Sequence, residues 1–151
     1  MAKSIRESAM NYLARREHSR LELEQKLAAK DFDKNEISDA LARLVADDLL
    51  SDVRFAESFV NARIQSGKGP VKIQIELKQR GVDETIISQY LNNRETDWYE
   101  QACRVRCKRF GPALPSEYQQ RIRQARFLQQ RGFTHEQINA AFKKERVTSD
   151  E

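Results

Sequence analysis

Apolar residues along this chain recur at spacings of three and four, in short runs that each begin at a polar, cap-forming residue. That pattern predicts helices nearly from end to end. Ser4 opens the first run, with Ile5, Ala9, Tyr12 and Leu13 on one side. Ser19 caps the second, and Glu22 three positions on completes a capping box. Asp33 with Glu36 repeats the signal ahead of Ile37, Ala40, Leu41 and Leu44. Ser51 precedes Phe55, Phe59 and Val60, and Pro70 suits a first helical turn. Asp83 opens Ile86, Ile87, Tyr90 and Leu91, and Thr96 precedes Trp98, Tyr99 and Ala102. Ser116 starts a long run to Arg131, and Thr134 with Gln137 boxes the last helix, which carries Ile138, Ala141 and Phe142. Residues 147–151 read as a frayed tail. One stretch dissents: Val71, Ile73, Ile75 and Leu77 alternate with polar residues, as in a half-buried strand. No partner strand lies nearby, and a repeat places a helix there.

The repeat organises the chain. Leu27, Phe32, Asp33, Ile37 and Leu41 correspond to Leu77, Val82, Asp83, Ile87 and Leu91, fifty residues on. Both sets correspond to Leu128, Phe133, Thr134, Ile138 and Phe142, a further fifty-one residues on. Each unit reads as a helix ending in a basic residue, a short turn, a polar cap and a second helix. The turns are Lys30-Asp31-Phe32, Arg80-Gly81-Val82 and Arg131-Gly132-Phe133. Gly81 and Gly132 suit the left-handed backbone at a helix end, which Asp31 must adopt at some cost. The period extends back over the preceding helix, since Ile5 and Ala9 map onto Phe55 and Phe59. The expected fold is all-α: three tandem three-helix, helix-turn-helix-like repeats at 1–48, 49–94 and 95–146, stacked into an elongated body.

Composition sharpens this picture. Of 151 residues 33% are charged, Gly and Pro number only 5 and 3, and seven Phe with four Tyr argue against disorder. Mean hydropathy is −0.78. The net charge of +4 hides an asymmetry. From Asp31 to Ser58 eight acids face three bases, whereas from Gln101 to Arg131 eight bases face only Glu117. A polyanionic partner is favoured, and the C-terminal third carries the field.

Other chemistry finds little footing. Cys103 and Cys107 stand one helical turn apart with neither His18 nor His135 at ligand spacing, so they read as packing thiols and no metal is expected. Gly67-Lys68-Gly69 lacks the spacing, the following Ser or Thr and the preceding strand of a phosphate loop. No arrangement of Ser, His and Asp points to a triad, so neither catalysis nor a cofactor is expected. No apolar run approaches a membrane span and no leader is visible, so the expected location is the cytoplasm.

Four segments carry a resemblance. These are His18 to Leu27 (HSRLELEQKL), Leu49 to Val60 (LLSDVRFAESFV), Gly67-Lys68-Gly69-Pro70 followed by Ile73, Glu76, Leu77, Arg80 and Gly81, and Arg126-Phe127-Leu128 through Arg131-Gly132-Phe133. In order, on a fifty-residue repeat, they resemble the signatures of the RecX family. That resemblance implies a monomeric, curved, helical, non-enzymatic protein. It would lodge in the groove of a RecA filament on single-stranded DNA, touch duplex DNA more weakly, and restrain ATP turnover, strand exchange and co-protease activity.

The residues expected to make such contacts fall into three basic clusters. Arg63, Lys68, Lys72 and Arg80, with Lys78 among them, form the first. Arg104, Arg106, Lys108 and Arg109 form the second, and Arg121, Arg123, Arg126 and Arg131 the third. Guanidinium groups bind phosphate and carboxylate in two-pronged fashion, and Tyr118 and Phe127 could stack on unpaired bases. Two other classes share these features: a sequence-specific helix-turn-helix DNA-binding protein, and a helical adaptor for an unrelated protein.

Overall fold

The computed structural model describes residues 3–93 and 95–143, and every regular element among them is a helix. In chain order these are α1 (Ile5–Arg15), α2 (Arg20–Ala28), α3 (Lys34–Ala46), α4 (Asp52–Gln65), α5 (Pro70–Gln79), α6 (Glu84–Leu91), α7 (Trp98–Phe110), α8 (Tyr118–Arg131) and α9 (His135–Ala140). Several of the caps read from the sequence supply side-chain bonds, though Asp33 does so without the return bond from Glu36 that a full box would add. Ser19 and Glu22 make the full reciprocal box, as do Thr134 and Gln137. Ser4 and Asp33 accept from first-turn amides, and the Ser51 hydroxyl accepts from the Arg54 N–H at 3.2 Å. Two starts differ. Asp97, not Thr96, caps α7, because its carboxylate accepts from both the Tyr99 and Glu100 amides. Helix α8 begins at Tyr118, later than Ser116, behind a Glu117 that makes no side-chain cap. The predicted tail at 147–151 lies outside the described residues.

The alternating stretch is helix α5. Its apolar residues form two pairs four apart: Ile73 and Leu77 are fully buried, while Val71 and Ile75 stay 41% and 52% exposed. Alternation in sequence thus resolves into two helix faces, one inward and one outward.

The three aligned turns share one conformation. Asp31, Gly81 and Gly132 all have positive φ, at 65°, 78° and 100°. In the second and third turns the 6→1 bonds of a Schellman motif close the helix, Val82 N to Leu77 O at 3.1 Å and Phe133 N to Leu128 O at 3.2 Å. Asp31 holds the left-handed region with a Cβ, which costs an L-residue about 1 kcal/mol. Asp31→Gly is therefore expected to stabilise the fold by about 0.5–1 kcal/mol, a rise of a few degrees in Tm. Differential scanning calorimetry checks it, and a lower Tm would show that the Asp31 side chain contributes a bond worth more than the strain.

Packing divides the chain into two compact units. One runs to Phe59 and takes in Leu77–Tyr90; the other is Val60–Glu76 together with the chain from Leu91 onward. By sequence the first holds twelve Lys and Arg against fourteen Asp and Glu, and the second fifteen against nine. The charge asymmetry along the sequence is thus an asymmetry between packed bodies. The first unit is built on Ala9, Leu23, Leu27, Ile37, Leu41, Leu44 and Leu50, with Ile5, Tyr12, Leu13 and Phe32 against them. Full burial of each Leu or Ile contributes roughly 1.5–3 kcal/mol. The second buries Ile73, Trp98, Ala102, Leu128, Phe133, Ile138 and Phe142.

His18 belongs to the first core, only 1% exposed. Its Nε2 lies 2.8 Å from Lys26 Nζ and its Nδ1 3.1 Å from the Arg16 carbonyl. An ammonium can only donate, so Nε2 accepts and Nδ1 carries the proton. Burial holds this imidazole below its usual range and the Arg16 and Lys26 charges push the same way, against the Arg16 carbonyl bond and Glu22. The unfolded chain therefore takes up the proton first as pH falls. Stability is fully present above the ordinary histidine value of about 6.5 and declines below it until the folded imidazole protonates too. Urea midpoints from pH 7.5 to 4.5 should show this slope, and His18→Asn should flatten it. An equal slope in that variant would assign the effect to other groups.

Candidate functional site

A concave, basic site lies within the second unit. Helix α7 supplies one wall. Gln101, Arg104, Val105, Lys108 and Arg109 recur at three- and four-residue spacing, so they share a face along the helix. The end of α4 supplies another. Gly67, with φ 82°, turns the chain out of the helix, and the Lys68 N–H closes it on the Arg63 carbonyl at 3.0 Å. Helix α8 contributes Phe127 and Arg131. Together these residues enclose an open cleft of about 660 Å³, walled by Arg104, Lys108, Arg109 and Arg131 over Ile64, Val105 and Phe127.

Polar bonds fix its shape. The Gln101 amide donates to the Ile64 carbonyl at 2.7 Å, tying α7 to the end of α4, and its oxygen accepts from Arg104 at 2.7 Å. Arg131 donates to the Ser66 carbonyl at 3.1 Å and lies 4.8 Å above the Phe127 ring. Arg109 sits 5.7 Å from the same ring, which makes a T-shaped pair with Phe110, the ring centroids 5.3 Å apart. The start of α5 is docked on the α8–α9 turn. The Gly69 N–H donates to the Arg131 carbonyl at 2.7 Å and the Val71 N–H to the Gly132 carbonyl at 2.9 Å. A Cβ on Gly69 would stand 2.5 Å from the Gly132 carbonyl carbon and oxygen, so the glycine permits this close approach.

The electrostatics are one-signed. Partial burial depresses the Lys68 ammonium below its usual range, and Arg131, Lys72 and Arg63 add to the effect, opposed only by Glu76. Glu76 is already engaged by Arg63 in a two-pronged pair at 3.0 and 3.2 Å. Among the described residues no carboxylate lies within 4.0 Å of Lys68, Lys72, Arg104, Lys108, Arg109 or Arg131. A group of cations held together without counter-charge raises the free energy of the empty site, and a bound anion relieves it.

The other residues expected at an interface have different surroundings. Arg106 is a correction: it is fully buried, donating to the Ala141, Ala113 and Pro112 carbonyls and to Gln124, so it cannot reach a partner. It stood among the basic residues of one sequence run, but a step of two along a helix turns a side chain to the far face. Arg80 lies in the first unit, 3.5 Å from Glu22 and 4.8 Å from the Phe59 ring. Arg121 stacks at 4.4 Å on Phe142. Arg123 and Arg126 are exposed on α8, as is Tyr118 at 77%. Ile64, Gln101 and Val105 escaped sequence reasoning. The signal for the last two was their phase on α7, four residues apart and flanked by Arg104 and Lys108. Cys103 and Cys107 are half-buried. Among the described residues no three His, Cys, Asp or Glu side chains cluster as a metal would need, and no helix is long and apolar enough to cross a membrane.

Comparison with known proteins accounts for nearly the whole chain. Residues 6–44, 51–91 and 95–142 match the family models for the first, second and third three-helix domains of RecX. The Regulatory protein RecX of Halorhodospira halophila is 46% identical over 140 residues, covering 93% of this chain and 87% of that relative. That of Pseudomonas savastanoi pv. phaseolicola is 44% identical over 135 residues, covering 89% and 87%. The crystal structure of RecX from Lactobacillus salivarius superposes with a TM-score of 0.76 at 25% identity, covering 95% of both chains.

Proposed function

This chain belongs to the RecX family of regulatory proteins, and from that premise we propose that it binds RecA filaments on single-stranded DNA and restrains them. It acts as a monomer in the cytoplasm, without catalysis of its own. The filament slows in ATP turnover, strand exchange and co-protease activity because the bound regulator opposes its working form. The observation that carries this reading is the cleft of the second unit, lined by Arg104, Lys108, Arg109 and Arg131 and, among the described residues, by no carboxylate, with Lys68 and Lys72 adding to the same field beside it. Arg104, Lys108, Arg109, Arg131, Lys68 and Lys72 are its contacts with the polyanion, and Arg123 and Arg126 extend the field along α8. The DNA backbone is the polyanion, since it offers phosphates at a repeat that several cations can meet at once. The first unit, acidic on balance, contributes little to DNA affinity and is free to face basic protein surface.

The test is a titration into RecA, single-stranded DNA and ATP. The parent protein is expected to suppress ATP hydrolysis and strand exchange, and Arg104→Glu with Lys108→Glu to need at least tenfold more protein. Both residues are exposed, so folding is spared. On single strands each lost phosphate contact lowers the slope of log affinity against log salt by about 0.7. Unchanged ATP turnover and strand exchange across a wide range of parent protein would end this reading. A footprint on one duplex sequence that survives competitor DNA would replace it with a helix-turn-helix regulator.

A further inference from the structure

We infer that the cleft of the second unit takes an unstacked base of single-stranded nucleic acid, with the two phosphates flanking that nucleotide held on its cationic walls. The inference rests on the polyanion reading of the same cleft and adds what charge leaves unexplained. A phosphodiester backbone is held by cations and needs no apolar surface beneath it. Here the cations stand around a concavity of about 660 Å³, within the range of small-ligand sites, and its floor is apolar. Ile64, Val105 and Phe127 make that floor, each half-buried. An apolar floor in contact with water is a cost that a strand of phosphates alone would not recover.

What fits is a flat, largely apolar group with negative charge on either side. Arg109 and Arg131 both lie over the Phe127 ring, at 5.7 and 4.8 Å, and both line the cavity, so planar groups are gathered at one place on its wall. Rings and guanidinium planes stack on any base without needing a particular one. Cations occur on more than one wall, Arg104 and Lys108 from α7 and Arg131 from α8, which matches phosphates on both sides of one nucleotide. An acidic peptide bearing an aromatic residue has the same gross features. The nucleotide is favoured because no acid is among the described residues lining the cleft and a strand offers a flat base between two phosphates at every position. Paired bases are stacked within a duplex and cannot enter, so the site selects single strands.

The experiment is fluorescence anisotropy of the full chain against three labelled probes of equal length. One is an oligothymidylate, one the same backbone with abasic tetrahydrofuran sites, and one a duplex. The oligothymidylate is expected to bind about tenfold more tightly than the abasic strand, the span of one base–aromatic stack. Val105→Met extends a non-planar apolar side chain over the floor without adding a stacking ring or removing a cation, and is expected to reduce that ratio toward one. Equal affinity of parent protein for intact and abasic strands, or for single strand and duplex, overturns the inference while leaving the polyanion reading intact. Persistence of the full ratio in Val105→Met overturns it as well. Loss of salt-dependent binding to all three probes removes both. An acidic, tyrosine-bearing peptide that binds more tightly than oligothymidylate reassigns the cleft to a protein partner.

Discussion

Arg106→Ala should destabilise the second unit by about 3–5 kcal/mol, a large share of the 5–15 kcal/mol a domain of this size commands. The side chain is fully buried and no carboxylate among the described residues meets it. Its donors go instead to oxygen dipoles: Ala141 at 2.9 Å, and Ala113, Pro112 and the Gln124 amide at 3.3 Å. Ala141 caps the C-terminus of α9, where the helix dipole is negative, so the charge is met by partial charges rather than by an acid. One guanidinium thereby joins α7, the loop after it, α8 and α9, and its central carbon lies over the Phe142 ring at 5.5 Å. Truncation removes that packing and orphans several carbonyls together. Arg106→Met, which restores much of the volume but none of the donors, should recover less than half of the loss. Arg106→Lys offers one compact ammonium in place of a planar fork and should fall between. Guanidinium unfolding followed by tryptophan fluorescence reports directly, since Trp98 begins α7. An alanine variant within 1 kcal/mol of the parent, on the order of a single hydrogen bond, would refute the assignment.

Gly69→Ala should cost about 2–3 kcal/mol, as overpacking does where neither partner can yield. The added methyl would meet the Gly132 carbonyl and the Phe133 amide nitrogen, the latter at 2.7 Å, and both belong to backbone. The two bonds that dock α5 on the turn, from Gly69 and Val71, hold the chains at that separation. Gly111→Ala is the control. Its φ of 90° with ψ of 166° is a glycine-only conformation that Gly69 does not share, yet nothing lies within 4 Å of the added methyl, so the cost there is backbone strain alone, about 1–3 kcal/mol. The function should suffer more than the stability. Moving the first turn of α5 takes Lys68 and Lys72 away from Arg131, so nucleic-acid affinity should fall in Gly69→Ala under conditions where the protein stays folded. Circular dichroism and anisotropy on the same samples separate the two effects. Affinity equal to that of Gly111→Ala would mean that α5 docking does not set the cleft.

Much of the fold was legible because its causes are local. Cap boxes at Ser19 and Thr134, apolar spacing and the fifty-residue repeat each involve residues within a few turns, and the aligned turns at Asp31, Gly81 and Gly132 took the left-handed backbone that their position required. The alternation at 71–77 misleads as a strand signal, since only burial tells Ile73 from Ile75. At α7 and α8 local reasoning was half sufficient. It marked the basic runs, but a run of arginines winds around a helix and only some of them share a face.

The sequence by itself determined the helices, their turns, the family and the sign of the charge, all of which depend on spacing and residue type. Tertiary structure alone decided which cations act together. Arg131 meets Lys68 because a glycine–glycine contact brings residues more than sixty positions apart against each other, and Arg106 leaves the surface because four segments close around it. Such placements depend on distances that the chain covers only by folding, so no pattern of neighbours along it encodes them directly.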